Sequence, residues 1–483
     1  MKLSPLILAG MVLLSACKKH DPTPPPNPYD SKVKPYYKEV VIKAMTPSGN
    51  PASFQHALGY FQSKDDVNTQ IMVASYGPQE YGARGFRITS INKTTGSINY
   101  DRSFDLEDKY HIQFESCATM DNEGYIWVGG HSFIAPDRAS LFLIKLDKSG
   151  NIAWSNSFSN NSGWRAYSLI TLHNGDLAFL AKTSGGLGVF RITTSGQSVW
   201  YTAIGYTYGG IDDDYYGSSS IYSPEYRGLV ETADGSIYLA TSSNSTYNGV
   251  GGSEKIYRLD ASGKLQWARV FTLDGNTAPV RPVQLINAGD GQLLMADQHA
   301  TTYGGPSPFF ALLSLNGDVL RSRGRPFNAG GIWPSNLNEV SWYEGNLYFS
   351  SNGNREIDTY VIDGSLKLKS ATKTRQVKDN RGTEQGGISL FDAADRALYY
   401  VFNFDGKDGQ SNGFGISRND AIGKPCDTTD VNPPTTLLLE DMHLTVAADK
   451  IDTTIYGLPV VFAPLTWRQW QPAPLTVQDV CGK

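Results

Sequence analysis

The stretch FLIKLDKSGNIAWSNSF, residues 142–158, holds two runs of strand-forming residues on either side of a glycine. Gly150 follows Asp147 by three residues, and Trp154 follows Gly150 by four. Glycine accepts the positive φ that tight hairpin turns require, so the stretch predicts two antiparallel strands joined by a short turn. Trp154, with Trp200 and Trp267 at the same place in two further copies, is interpreted as packing between neighbouring sheets.

The strand–glycine–strand pattern alternates along the chain with a second pattern, a turn followed by a strand. The other turn glycines of the first pattern are Gly96, Gly196, Gly263, Gly317 and Gly364. The second pattern centres on Gly124, Gly175, Gly235, Gly291, Gly345 and, in degenerate form, Arg396, with a weaker copy around Asp66. Four antiparallel strands in each unit of roughly fifty residues are typical of a propeller blade. The seven copies predict an all-β, seven-bladed β-propeller of four-stranded antiparallel blades over residues 36–425.

Ring closure is predicted from a strand that has no partner of its own. The seventh copy has a third strand, GFGISRND (residues 413–420), and no good fourth strand before Cys426. The segment YYKEVVIKAM, residues 36–45, has a strand pattern and would supply that outer strand. Closure in this way removes the exposed sheet edges of an open ring.

The units KLDKSGNIAW (residues 145–154) and RLDASGKLQW (residues 258–267) resemble the repeat of pyrroloquinoline-quinone-type propellers, a superfamily that includes an outer-membrane assembly lipoprotein. The resemblance covers most of residues 50–420 as a repeat, and it implies a fold and not a function. The calcium-binding carboxylate and amide set, the catalytic aspartate and the cofactor floor of the quinoprotein dehydrogenases are not found at corresponding places. No cofactor is therefore expected.

The N-terminus predicts export and a lipid anchor. Residues 1–16 read as a signal peptide, because the apolar run after Lys2 is shorter than the roughly 20 residues of a membrane-spanning helix. Leu14, Ser15, Ala16 and Cys17 resemble the lipobox of bacterial lipoproteins, in which the cysteine carries the lipid. Five prolines between residues 22 and 28 make residues 17–35 an extended tether. The expected location is the outer membrane at the cell surface; the periplasmic face and a plain secretory signal are the alternatives.

The C-terminal residues 426–483 are predicted to form a short β extension. The runs TTLLLEDMHLTV (residues 435–446) and YGLPVVFAPLTWRQW (residues 456–470) suggest two or three strands packed on the propeller. Cys426 and Cys481 would form a disulfide around a loop of roughly 55 residues, which stabilises a fold by about 4 kcal/mol in the chain-entropy model. Cys117 is then a free, buried core thiol, unless it takes part in a disulfide itself.

Candidate ligand-binding residues come from one recurring position. About ten residues before each turn glycine, where the inner strand of a blade begins, the chain carries a polar residue. Inner strands line the channel of a propeller, so these residues would ring one mouth of it, or simply line a wet channel. The candidates, with aromatic residues of the loops between blades, are Glu115, Arg165, Arg227, Arg281, Glu384, Gln55, His56, Trp333, Tyr206 and Tyr208.

Two acidic clusters have the hard oxygen ligands that calcium uses, so calcium is possible, although solvated turns are the simpler interpretation. The clusters are Asp212, Asp213 and Asp214 in one loop, and Asp405 and Asp408 in another. The seven histidines form no metal-binding motif; they are His20, His56, His111, His131, His173, His299 and His443.

Charge and motifs narrow the function classes. The formal net charge is −5 and the only basic block is Lys18–Lys19, so no nucleic-acid partner is expected. Aromatic side chains near arginine suit carbohydrate or peptide binding. The first hypothesis is a non-catalytic lipoprotein that binds a glycan, peptide or protein. The alternatives are a glycan-cleaving propeller enzyme and a periplasmic envelope-assembly scaffold.

Overall fold

The protein is described by a computed structural model that contains strands and turns and, within the part of the chain it describes, no helix. Among those residues no helix is long and apolar enough to cross a membrane. The described residues are 35–41, 52–78, 85–106, 111–112, 117–133, 139–158, 165–183, 186–205, 228–243, 253–273, 284–301, 304–325, 336–353, 356–375, 388–404, 413–420, 439–448, 453–456, 462–464, 467–470 and 476–479. The predicted signal peptide, the lipidation residue Cys17, Cys426 and Cys481 lie outside them.

The strands form seven blades. The first described strand is β1 (Tyr36–Val41). Blade 1 consists of β2 (Ala52–Gln62), β3 (Thr69–Pro78), β4 (Gly85–Asn92) and β5 (Ile98–Leu106). Blade 2 consists of β6 (His111–Ile112), β7 (Cys117–Met120), β8 (Ile126–Phe133), β9 (Ala139–Leu146) and β10 (Ile152–Phe158). Blade 3 consists of β11 (Arg165–Thr171), β12 (Leu177–Thr183), β13 (Gly186–Ile192) and β14 (Ser198–Gly205). Blade 4 consists of β15 (Leu229–Glu231), β16 (Ile237–Ser243), β17 (Ser253–Leu259) and β18 (Leu265–Leu273).

Blades 5 to 7 continue the same order. Blade 5 consists of β19 (Gln284–Gly289), β20 (Gln292–Thr301), β21 (Gly304–Ser314) and β22 (Val319–Gly324). Blade 6 consists of β23 (Asn336–Tyr343), β24 (Asn346–Gly353), β25 (Glu356–Asp363) and β26 (Leu368–Arg375). Blade 7 consists of β27 (Ile388–Asp392), β28 (Ala397–Phe404), β29 (Gly413–Asp420) and β1. The predicted all-β, seven-bladed propeller is confirmed.

The predicted ring closure is confirmed. β1 pairs antiparallel with β29, from Tyr36 opposite Arg418 to Val41 opposite Gly413. The strand is described from Tyr36 to Val41, and residues 42–45 of the predicted segment lie outside the described residues. Apolar residues of blades 7 and 1 share one buried cluster, including Val40 and Met72, so the seam between the first and last blades is packed like the others.

The turn residues explain most of the repeat. The hairpin between β9 and β10 has Gly150 at φ +76°, and Asp147 accepts hydrogen bonds from the N–H groups of Ser149 and Asn151. In the degenerate copy, Arg396 itself takes a positive φ of 51°. The prediction for blade 6 was wrong by two residues: Leu366, at φ +57°, takes the place expected for Gly364. Asp363 accepts hydrogen bonds from the N–H groups of Ser365 and Lys367. It therefore stabilises this turn in the same way that Asp147 stabilises the turn between β9 and β10.

The C-terminal extension was predicted as two or three strands, and its described residues form six. They are β30 (Glu440–Asp441), β31 (Leu444–Ala448), β32 (Thr453–Tyr456), β33 (Phe462–Pro464), β34 (Trp467–Trp470) and β35 (Thr476–Asp479). They form no sheet of their own. Each pairs antiparallel with the outermost strand of a blade, and they visit blades 5, 4, 3, 2, 1 and 7 in that order. We call this set the belt.

The strand directions give the ring two distinct faces. The short-turn face carries the turns between the first and second and between the third and fourth strands of a blade, such as those at Gly175 and Gly196. The long-loop face is the one at which inner strands begin and outer strands end, for example at Arg165 and Gly205 in blade 3. Because β1 runs antiparallel to β29, its first residue, Tyr36, lies at the short-turn face.

Candidate functional site

The predicted binding residues belong to segments that begin and end at the long-loop face. Arg165 is the first residue of β11, where its backbone pairs with Lys182, and its side chain is not described. The side chains of Gln55 and His56, within β2, are likewise not described. The remaining candidates lie outside the described residues: Glu115, Arg227, Arg281, Glu384, Trp333, Tyr206, Tyr208, Asp212, Asp213, Asp214, Asp405 and Asp408. Their convergence on one mouth of the channel therefore stays a prediction.

The described part of the central channel contains a cavity of about 470 Å³. All seven blades contribute to its wall, for example through Tyr60, Met120, Ser168, Val230 and Asn287. These residues lie in the parts of the inner strands that lead to the short-turn face. The cavity therefore lies away from the ends at which the binding residues were predicted. Lys64 is the only charged residue among the described residues of its wall.

Cys117 lies in the wall of this cavity as a free, buried thiol, which confirms the prediction for it. Its Sγ donates a hydrogen bond to the carbonyl oxygen of Gly129 at 3.6 Å. Burial raises the pKa of the Cys117 thiol far above its usual value. Since the thiolate is the reactive form, burial makes this cysteine a poor nucleophile.

A buried cluster that the sequence analysis missed lies between blades 4 and 5. Glu254 on β17 faces Asp297 and His299 on β20, and all three are at most 1% exposed. Glu254 Oε1 lies 2.6 Å and Asp297 Oδ2 lies 3.5 Å from His299 Nε2. Aspartate and histidine two residues apart share one side of a strand, and that spacing was the signal available in the sequence. Glu254 lies in the preceding blade, and no local pattern connects it with them.

The two carboxyl groups of this cluster have pKa values shifted in opposite directions. Burial disfavours ionisation of Glu254, but the facing His299 imidazole holds the pKa of Glu254 below its usual value. Burial and the Glu254 carboxylate together raise the pKa of Asp297 well above its usual value. Carboxyl groups this close and this dry do not both ionise unless a cation joins them. The cluster can therefore share protons or hold a metal ion.

The solved structures to which the chain is similar have low sequence identity and TM-scores below 0.5. No family model and no curated protein sequence matches the chain. The chain is similar to the β-propeller domain of the trilobed protease from Pyrococcus furiosus, with 10% sequence identity and a TM-score of 0.40. The similarity covers 80% of this chain and 99% of that chain. An α-L-arabinanase from Penicillium chrysogenum is similar at 12% identity over 79% of this chain and 98% of that chain, with a TM-score of 0.43. A polysaccharide lyase, Uly1, is similar at 11% identity over 76% of this chain and 90% of that chain, with a TM-score of 0.43. Similarity at this level leaves the function to be argued from the chain's own residues.

Proposed function

We propose that the protein is a lipid-anchored outer-membrane protein that binds a glycan, peptide or protein ligand at its long-loop face without catalysing a reaction. Anchoring depends on Cys17, and ligand binding depends on Arg165, Arg227 and Arg281. Arginine suits an acidic sugar or a carboxylate, because its planar fork can donate two parallel hydrogen bonds. Trp333, Tyr206 and Tyr208 would add stacking contacts.

The position of Tyr36 is the observation that carries the proposal. Tyr36 opens β1 at the short-turn face, so the tether of residues 17–35 joins the ring on that side. A lipid on Cys17 would then keep the short-turn face toward the membrane and turn the long-loop face away from it. In the sequence, the candidate binding residues fall at or near the starts of inner strands, or between strands whose described ends lie at that distal face.

Among the described residues, the wall of the channel cavity offers little that would catalyse a reaction. Lys64 is the only charged group there, and the Cys117 thiol is held in its unreactive form. Neither residue supplies the paired acid and base that a hydrolytic or eliminative reaction would use. A non-catalytic ligand site needs shape, stacking and hydrogen bonds only.

The test combines a screen with variants of the full chain. Glycan and peptide arrays are probed with the protein, and product analysis accompanies every positive. Arg165→Ala, Arg227→Ala and Arg281→Ala together should weaken binding about 10-fold or more, since each removes hydrogen bonds to a charged group. Arg321→Ala, on the exposed outer edge of blade 5 near the short-turn face, is the matched control and should not weaken it. Unchanged affinity in the folded triple variant contradicts the binding site, and product formation favours the enzyme alternative.

The anchor is tested separately in cells. Cys17→Ala should abolish metabolic lipid labelling and release the protein from the membrane fraction. Surface labelling of intact cells should reach the wild-type protein; labelling only after the outer membrane is opened favours the periplasmic scaffold. Membrane fractionation that Cys17→Ala leaves unchanged contradicts the anchor.

A further inference from the structure

Blades 4 and 5 meet at a small polar cluster inside an otherwise apolar seam. Glu254 is the second residue of β17, and Asp297 and His299 lie near the end of β20. Both places are close to the long-loop face. The neighbouring core contains Phe271, Met295 and Phe309, and the His299 ring meets the edge of Phe309 at a centroid distance of 5.7 Å. The cluster is therefore shielded from solvent.

The carboxylates of this cluster are poorly satisfied by hydrogen bonds to the described residues, although Glu254 faces His299. Both oxygens of Glu254 and Oδ2 of Asp297 are buried, and none of them takes part in a hydrogen bond of acceptable geometry there. The second oxygen of Asp297 accepts from the backbone N–H of Gln298 at 2.6 Å. An unpaired buried carboxylate is among the most costly groups a fold can contain. The two Glu254 oxygens and Asp297 Oδ2 converge on one place and lack hydrogen bonds of acceptable geometry to the described residues, which indicates a bound cation.

The spacing of the atoms fits a single ion. One oxygen from each carboxyl group and one histidine nitrogen all lie within 4.8 Å of one another. Ligand atoms at about 2.0–2.2 Å from a tetrahedral ion are themselves about 3.4 Å apart. The separations of 2.6 and 3.5 Å from His299 Nε2 bracket that value. Small adjustments of the side chains would bring all three atoms to bonding distance.

We propose that Glu254, Asp297 and His299 bind one divalent transition-metal ion of the zinc type, which links blade 4 to blade 5. Two carboxylates balance the charge of the ion, and a neutral imidazole completes a mixed oxygen and nitrogen set of the kind zinc accepts. The imidazole disfavours calcium, which takes oxygen ligands. Ser307 lies opposite His299 on β21, and its buried hydroxyl has no hydrogen-bond partner among the described residues. That hydroxyl or a water would fill a further position.

Burial assigns the ion a structural role. Ligands that are at most 1% exposed leave no room for a substrate to reach the ion from solvent. Binding to the folded state alone shifts the folding equilibrium toward that state. The rival arrangement has no metal: a protonated Asp297 donates to Glu254, which also pairs with a charged His299. The two arrangements respond differently to Asp297→Asn, because asparagine keeps a donor for Glu254 but is a poor metal ligand.

The experiment uses the full chain and zinc itself. Protein purified without chelators is analysed for bound metals, stripped with a chelator, and titrated with Zn²⁺, Mn²⁺ and Ca²⁺ while the melting temperature is recorded. We expect one tightly bound ion per chain, a melting temperature that falls on stripping and recovers with Zn²⁺, and no recovery with Ca²⁺. Asp297→Asn and Glu254→Gln should each weaken Zn²⁺ binding about 100-fold or more, beyond the loss typical of residues that only orient ligands.

The control variant is His173→Gln. His173 forms a surface pair with Glu231, with Nδ1 and Oε2 2.9 Å apart, and its side chain is 65% exposed. This variant should keep the metal content and zinc affinity of the wild type. Wild-type protein that binds no zinc after stripping, with a melting temperature that zinc does not change, overturns the proposal without reference to any variant. If the wild-type protein contains no metal and Asp297→Asn raises its melting temperature, the cluster shares protons instead of binding an ion.

Discussion

The indole ring of Trp200 in blade 3 lies against the α-carbon of Gly263 in blade 4. A Cβ added to Gly263 would lie 2.7 Å from Cδ2 of that ring. Thr202 beside it donates a hydrogen bond to the Gly263 carbonyl oxygen at 2.6 Å, and the indole N–H donates to the Ala261 carbonyl oxygen at 3.2 Å. Trp154 meets Gly196 and Trp267 meets Gly317 in the same way. The tryptophans thus pack between blades, as the sequence predicted.

Gly263→Ala should destabilise the fold by about 3 kcal/mol. The turn has φ +84°, which costs an alanine about 1 kcal/mol, and the contact with Trp200 adds about 2 kcal/mol of overpacking. Chemical denaturation gives the free energy of unfolding. Gly175→Ala is the matched control, because Gly175 has φ +91° and nothing within 4 Å of an added Cβ. Equal losses in the two variants would show that the contact with Trp200 does not matter.

Lys93 should stabilise the closure of the ring until the solution becomes strongly alkaline. Its Nζ lies 2.8 Å from Asp392 Oδ2 and 3.1 Å from Asp395 Oδ2, which joins blade 1 to blade 7. Burial disfavours the charged amine, but hydrogen bonds to the two carboxylates raise the pKa of Lys93 above its usual 10.5. A raised folded-state pKa means that the contribution is complete below the unfolded value and disappears as the pH rises through the folded one.

Lys93→Met should therefore lower the free energy of unfolding by about 3 kcal/mol at neutral pH, because it leaves Asp392 buried without its cation. The difference from wild type should stay constant up to about pH 10 and shrink above it. Lys148→Met is the control, since Lys148 pairs with Asp65 at 2.7 Å on the exposed surface and should have a much smaller effect. A difference that shrinks between pH 6 and 8 would contradict the role assigned to Lys93.

Cys426 and Cys481 should form a disulfide in the exported protein. β29 ends at Asp420 and β35 ends at Asp479, and both strands end at the short-turn face of blade 7. Cys426 and Cys481 follow these ends by a few residues, so the bond would fasten the end of the belt to the segment that leaves β29. Peptide mapping without reductant should find the two cysteines linked, while Cys117 reacts with an alkylating reagent only after unfolding. Free thiols at both Cys426 and Cys481 would refute the pairing.

The sequence predicted those parts of the fold that repeat. A hairpin turn needs a residue that accepts positive φ, so glycine recurs at the turn positions in the sequence, for example at Gly150, Gly196 and Gly263. Glycine alone does not identify every turn, because Leu366 and not Gly364 takes the positive φ in blade 6. The aspartate at the start of that turn stabilises the turn even though a leucine occupies the strained position.

The belt and the buried cluster could not be predicted in the same way. The belt strands are short and pair only with edges that the finished blades provide, so their register depends on distant strands. Glu254 and His299 meet because two blades pack together, and neither residue belongs to a repeated position. The channel mouth was predicted from strand starts alone, and of its three arginines the structure describes the backbone of one, Arg165, at the start of β11.

The position of β1 between β29 and β35 has a mechanical consequence. A pull from an anchored N-terminus would reach the ring at Tyr36 and act along the axis of β1. Hydrogen bonds across an antiparallel pair run perpendicular to the strands, so this pull loads the bonds on both sides of β1 in shear, and they must break together. Resistance to forced unfolding depends on the unfolding rate, which such an arrangement slows. β35 would therefore reinforce β1 against drag if the protein is held at its N-terminus.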